Sequence, residues 1–248
     1  MTGALELVAS LLFAYLVVVV PIRGRARYER FRQEVAQDSS ARLRYYRKSL
    51  LWKYVLSLIV VVLFLANHHE AAGIRFVRSD ATATGYMLPI MVGVALGAVL
   101  VRWRSRRPAS RIKLARSIRG FADLLPRTMA ERRAWVLVAI TAGVTEELLY
   151  RGFVLWVLAH LLPNADTFTV LLIGGLVFGL AHLYQGTKGV LLTALLGVVL
   201  GQVMIAAGLL AAMAIHTLID LRVLLIPSDL ASRTSDRGLP GPDSIDNI

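Results

Sequence analysis

Apolar residues recur along this chain in runs far longer than the alternation of a strand or the narrow stripe of a soluble helix. The first is Ala4 to Ile22, and others follow at Leu50 to Ala66, Tyr86 to Val101 and Ala134 to Leu162. Three more run from Thr167 to His182, Gly189 to Ile205 and Gly208 to Ile226. A helix needs about 20 apolar residues to cross a bilayer. The pattern therefore predicts an all-α, polytopic transmembrane helical bundle of seven spans, or eight if the long fourth run is divided. The first run lacks a basic leader and a small-residue cleavage site, so it reads as a retained anchor rather than a signal peptide. Pro163-Asn164 marks a turn. Only Ala206-Ala207 separates the last two runs, a weak boundary. Gly93 and Gly97 have the small-xxx-small spacing that lets membrane helices approach closely.

Composition agrees with this reading. Residues are 56% hydrophobic and 18% charged, against about 25% charged in an ordinary soluble domain. Cysteine is absent, which excludes a disulfide framework, a thiolate metal site and a cysteine nucleophile. The net charge of +12 is concentrated. Ten of the 28 basic residues lie between Arg23 and Lys53, and eleven between Arg102 and Arg133. Such clusters flanking spans mark cytoplasmic loops of a cell-membrane protein. They place the N-terminus outside and the C-terminus inside, with the anionic lipids of the inner leaflet as partners. A nucleic-acid patch would need a soluble fold behind it, so nucleic acid is not an expected partner. The second cluster is interleaved with Ile112, Leu114, Ile118, Phe121, Leu124 and Leu125. It is either an amphipathic helix on the leaflet or a solvated loop. The chain divides into an N-terminal membrane region (1–133), a helical core (134–226) and a Ser-, Asp-, Gly- and Pro-rich tail (227–248) expected to be disordered.

Ionisable groups inside spans are costly and mark function. Glu146, Glu147, Arg151, His182, His216 and Asp220 all fall in predicted spans of the core, where a soluble-protein reading has no place for them. Glu147 and Arg151 are four apart and can pair on one helix face. Glu146, rotated about 100° from Glu147, must face something else. Phe178 and His182 repeat the interval, as do His216 and Asp220, where the carboxylate could hold the imidazole. From the helix rise, Glu146 and His216 lie roughly 18 Å and His182 roughly 8 Å from the inner surface, close enough to share one site. Each has a plainer explanation too: a structural ion pair at Glu147–Arg151, an interhelical clamp at His216–Asp220, and simple packing at Phe178. His160 and the His68-His69 pair read as interfacial or solvated.

In order, Glu146-Glu147-x-x-x-Arg151, Phe178-x-x-x-His182 and His216-x-x-x-Asp220 resemble the three motifs of the CPBP intramembrane proteases. This CAAX-protease and bacteriocin-processing family, also called Abi, includes the type II CAAX prenyl endopeptidases. The resemblance covers about Trp135 to Leu225. It implies an intramembrane endopeptidase acting on a peptide or protein substrate. Glu146 and His182 would activate water, His216 and Asp220 would form the oxyanion side, and Glu147, Arg151 and Phe178 would support them. Asp220 stands where family members frequently have Asn, a better hydrogen-bond donor. No metal is favoured. The alternative is a Zn²⁺-assisted reaction with Glu146, His182, His216 and Asp220 as ligands. Two other classes stay open: a catalytically idle scaffold of the same family, and a proton-coupled carrier.

Overall fold

The computed structural model describes residues 3–66, 81–107 and 118–228, together with 110, 113, 114 and 116. Ile112, His68, His69 and the tail beyond residue 228 lie outside the described residues. All regular structure among the described residues is helical. Among the described residues the longer helices are eight: α1 (Gly3–Val35), α2 (Ala41–Ala66), α3 (Ala81–Arg106), α4 (Met129–Glu147), α5 (Leu155–Leu161), α6 (Thr167–Ala181), α7 (Gly186–Ala207) and α8 (Leu209–Leu221). A π-helical stretch, Leu148–Val154, joins α4 to α5, so the long fourth run forms one continuous helical rod.

Four of these helices are long and apolar enough to cross a membrane: α1, α2, the Leu88–Arg106 part of α3, and α7 with the 3₁₀ turn before it. Their apolar side chains point outward, with Leu51, Leu58, Leu65, Leu96 and Leu192 all strongly exposed, as suits a lipid surround. These features mark a multi-pass membrane protein. The other three predicted spans are also helical, but α6 and α8 are short and the α4–α5 rod carries the charged groups.

The first arginine cluster is not a loop. α1 continues through Arg23, Arg25, Arg27, Arg30 and Arg32 to Val35, and α2 begins at Ala41, leaving only a short turn between them. Arginine is a good helix former, and a 33-residue helix is about 50 Å long, well beyond a hydrocarbon layer of about 30 Å. In the second cluster, Leu114, Ile118 and Leu125 pack with Ile226 into a small core of their own. These apolar positions face protein rather than a leaflet or open solvent.

The join between the two halves of the chain is polar and buried. Thr128 caps α4, its hydroxyl accepting from the Glu131 amide at 3.2 Å. The Glu131 carboxylate accepts in return from the Thr128 and Arg127 amides at 2.9 and 2.7 Å. Its other oxygen takes Arg42 of α2 at 2.7 Å, both side chains being 3% exposed. Arg42 also donates to the Asp123 carbonyl, and the Tyr46 hydroxyl to that of Leu124. Burial alone would push the Glu131 carboxyl up, but the donors from Thr128, Arg127 and Arg42 outweigh it and hold it below the ordinary value. With Arg42 against Glu131, the Tyr46 and Trp135 rings 5.5 Å apart, and Tyr54 bonded to Thr141, α2 and α4 run parallel.

Close packing is concentrated in the core helices. A Cβ at Gly143 of α4 would lie 2.9 Å from both the Met213 carbonyl oxygen and the Thr217 amide of α8, so only glycine permits that approach. Gly93, by contrast, has nothing within 4 Å of such a Cβ. The weak boundary between the last two runs falls at Gly208, whose φ of +93° lets α7 reverse directly into α8.

Candidate active site

Four helical elements deliver the motif residues to one point. Glu146 and Glu147 end α4, and the π-helical stretch that follows carries Arg151. His182 caps the C-terminus of α6, and His216 and Asp220 lie on α8. Antiparallel packing of α8 along α4, enforced at Gly143, brings His216 level with Glu147.

Glu147 is fully buried and has two partners on one oxygen. Its Oε1 accepts from Arg151 Nη1 at 2.8 Å and lies 2.6 Å from His216 Nδ1. The expected i,i+4 ion pair is therefore present, and the same carboxylate holds the imidazole of a second helix. Arg151 spends its remaining donors inward, giving Nη2 to the Gly197 carbonyl of α7 at 3.2 Å. Its guanidinium carbon lies 4.2 Å from the centre of the Phe178 ring. Phe178 is itself almost fully buried and meets His182 and His216 edge-on, with ring centres 4.7 and 5.9 Å away. It forms the apolar wall against which both imidazoles stand.

The two histidines have fixed orientations. His182 Nδ1 is 2.9 Å from the Phe178 carbonyl, which can only accept, so this nitrogen carries the hydrogen and Nε2 faces the site. His216 is held at Nδ1 by Glu147, and its Nε2 likewise faces the site. Both Nε2 atoms converge on Glu146 Oε2, at 3.9 Å from His182 and 4.0 Å from His216. Asp220 Oδ2 lies 3.8 Å from His216 Nε2. It flanks the ring rather than holding it, the orienting contact belonging to Glu147. The Asp220 carbonyl accepts from Trp135 Nε1 at 3.1 Å, tying the end of α8 to α4.

Sequence reasoning missed Lys53. Its ammonium lies 2.6 Å from Glu146 Oε1, on the side of the carboxylate away from the histidines. Lys53 stands inside the second apolar run, where an ionisable residue is a functional signal in its own right, although its place at the end of the first basic cluster makes it read as a topology-setting charge. It shares the α2 face of Arg42, eleven residues or about three turns earlier. The Arg42–Glu131 pair thus sets the register that brings Lys53 to Glu146.

Ligands 2.0–2.2 Å from a tetrahedral zinc stand about 3.3–3.6 Å apart, and the three donor separations given above are 3.8–4.0 Å. Among the described residues no three His, Cys, Asp or Glu side chains are arranged to hold a metal ion. Glu146 already has a cation against it in Lys53.

No curated protein and no solved structure matches the chain. The family model described as Type II CAAX prenyl endopeptidase Rce1-like matches residues 130–222, which include every motif residue of this site. The resemblance carried by the three motifs and the family match thus agree: this segment of the chain is similar to the type II CAAX prenyl endopeptidases.

Proposed function

We propose that the protein is an intramembrane endopeptidase that hydrolyses a peptide bond with a water activated by Glu146 and His182. The observation that carries this reading is the convergence of Glu146 Oε2 and His182 Nε2 across 3.9 Å. With Nδ1 committed to the Phe178 carbonyl, neutral His182 presents a lone pair at Nε2. Two acceptors at this separation suit one water that donates a hydrogen to each, leaving its own lone pair free to attack.

The reaction balances on these groups alone. Water oxygen adds to the scissile carbonyl carbon as Glu146 takes a proton. His216, protonated and held by Glu147, donates from Nε2 to the oxyanion that develops, beside Asp220. The C–N bond then breaks as Glu146 passes its proton to the leaving nitrogen, and the new carboxylic acid gives its proton to the released amine, leaving a carboxylate and an ammonium. Lys53 fixes Glu146 through Oε1, so that Oε2 is the oxygen presented to water and substrate. The ligand spacing and the Lys53 contact support a reaction without a bound metal. We further infer that both arginine-rich segments face the cytoplasm, since they cap the same ends of the apolar helices.

The test uses purified full-length protein, a fluorogenic prenylated peptide and a peptide library. Wild type should cleave, and Glu146→Ala should lose cleavage by 10³-fold or more on the order expected for a lost general base with its water. Undiminished cleavage by Glu146→Ala overturns the mechanism. Loss of wild-type cleavage on chelation, restored by zinc, overturns the metal-free reading.

A further inference from the structure

Of the ten basic residues of the first cluster, all but Arg47, which has no ion pair among the described residues and does not line the groove below, separate into two groups. Arg25 faces Glu29, Arg32 faces Asp123, Arg42 faces Glu131, Arg44 faces Asp38 and Lys53 faces Glu146. Arg23, Arg27, Arg30 and Lys48 have no ion pair among the described residues. All four line a single groove of about 370 Å³ between α1 and α2, which also contains Tyr15 and Trp52. Arg23, Arg27 and Arg30 follow one face of α1 at i, i+4 and i+7, and Lys48 and Trp52 are four apart on α2. Four like charges brought to one groove repel one another unless an anion lies among them.

Depth identifies the anion. Along α1, Arg23 is about 30 Å from Gly3, the thickness of a hydrocarbon layer, and Arg27 and Arg30 lie about 6 and 10 Å further out. Along α2, Lys48 is about 27 Å from Ala66 and Trp52 about 21 Å. The cations therefore sit at headgroup level. Tyr15 and Trp52, with ring centres 6.0 Å apart, close the end of the groove nearest the apolar spans. Beside them Val18, Leu51 and Val55 present exposed apolar surface on which acyl chains can lie. Guanidinium groups match a phosphodiester bidentately, and aromatic rings favour the boundary between headgroup and chains.

We propose that this groove is a specific binding site for one anionic phospholipid, its phosphate held by Arg23, Arg27, Arg30 and Lys48. The acyl chains descend past Tyr15 and Trp52. The site is separate from the motif residues, and its occupancy does not depend on the proposed peptidase activity.

The experiment titrates full-length protein in a zwitterionic detergent with phosphatidylglycerol or phosphatidylcholine of identical chains, reading bound lipid by native mass spectrometry. Wild type should take up one phosphatidylglycerol in strong preference to phosphatidylcholine. Arg23→Gln/Arg27→Gln/Arg30→Gln/Lys48→Gln should bind it on the order of 10³-fold more weakly, from the contribution of each basic residue near an anionic surface. A variant with the same charge change elsewhere, Arg102→Gln/Arg104→Gln/Arg106→Gln/Arg119→Gln, should keep wild-type binding. Circular dichroism in the same detergent checks that the groove variant is folded. If it is not, Arg27→Gln alone should weaken binding by about 5-fold. Equal binding by both fourfold variants, or no preference between the two lipids, overturns the proposal. So does displacement of the lipid by soluble glycerol phosphate, which would make free phosphate the ligand.

Discussion

Glu147 joins two tasks that substitution can separate: it neutralises a buried arginine and it orients a histidine on another helix. Glu147→Leu removes the carboxylate from Arg151, leaving a guanidinium that is 2% exposed without its counter-charge. Breaking a buried pair in this way costs about 3–5 kcal/mol. For a protein of this size, with about 2–4 °C per kcal/mol, the thermal midpoint should fall by about 6–20 °C. Glu147→Leu/Arg151→Met removes both charges and fills the space beside Phe178 with an apolar chain, so most of that loss should return. Under the proposed mechanism peptide cleavage should not return, because His216 Nδ1 still lacks the acceptor now 2.6 Å away and Nε2 loses the orientation that the oxyanion role requires. A deficit of about 10²–10³-fold in kcat is the size expected for a lost oxyanion donor. Thermal unfolding by tryptophan fluorescence and single-turnover cleavage on the same preparations make the measurement. Recovery of both stability and cleavage in the double variant would refute the argument, since it would leave Glu147 with a structural role only.

Other expectations test separate parts of the structure. Glu131 has its carboxyl held below the ordinary value, so its contribution to stability is complete above that ordinary value, near 4.5. That contribution is lost as pH falls toward the lowered folded-state value. The thermal midpoint of wild type should therefore drop steeply below about pH 4.5. Glu131→Gln should start lower at pH 7 and show a flatter decline, and an identical decline in both proteins would contradict the assignment. Lys53→Met should retain the helical circular-dichroism spectrum while cleavage falls at least about 10-fold, the low end for mispositioning a catalytic base. Unchanged cleavage would remove Lys53 from the site. Gly143→Ala places a methyl 2.9 Å from the Met213 carbonyl and should cost about 1–3 kcal/mol as α8 shifts away, with cleavage reduced alongside. An unaltered thermal midpoint would show that α8 has room to spare.

Much of this arrangement follows from periodicity within single helices. Spacings of four put Arg151 beneath Glu147 and His182 beneath Phe178, and the structure has the ion pair at 2.8 Å and the ring contact at 4.7 Å. Partners across helices are a different matter, because they depend on rotation and register that no single run encodes. His216 and Asp220 share a face, which suggests Asp220 as the ring's anchor, yet Glu147 of the facing helix makes that contact. Lys53 was legible only as a charge, since nothing local links position 53 to position 146. The arginine-rich segments show the same limit from the other side. Their charge marks where the apolar spans stop, while the partners of those charges include acids far away in the chain, such as Glu131 for Arg42.

The parallel pairing of α2 and α4 bears on how this protein can be cut. The matched segment, 130–222, looks like a unit that could be produced alone, but two of its acids are completed by α2: Glu131 by Arg42 and Glu146 by Lys53. A fragment beginning at residue 130 would leave both carboxylates uncompensated and the first would lose the cap-and-clamp that orders the start of α4. Under the proposed mechanism the site is thus shared between α2 and the matched segment. Two pieces produced together, one ending after α2 and the other beginning before α3, should find each other in the bilayer and restore what neither holds alone.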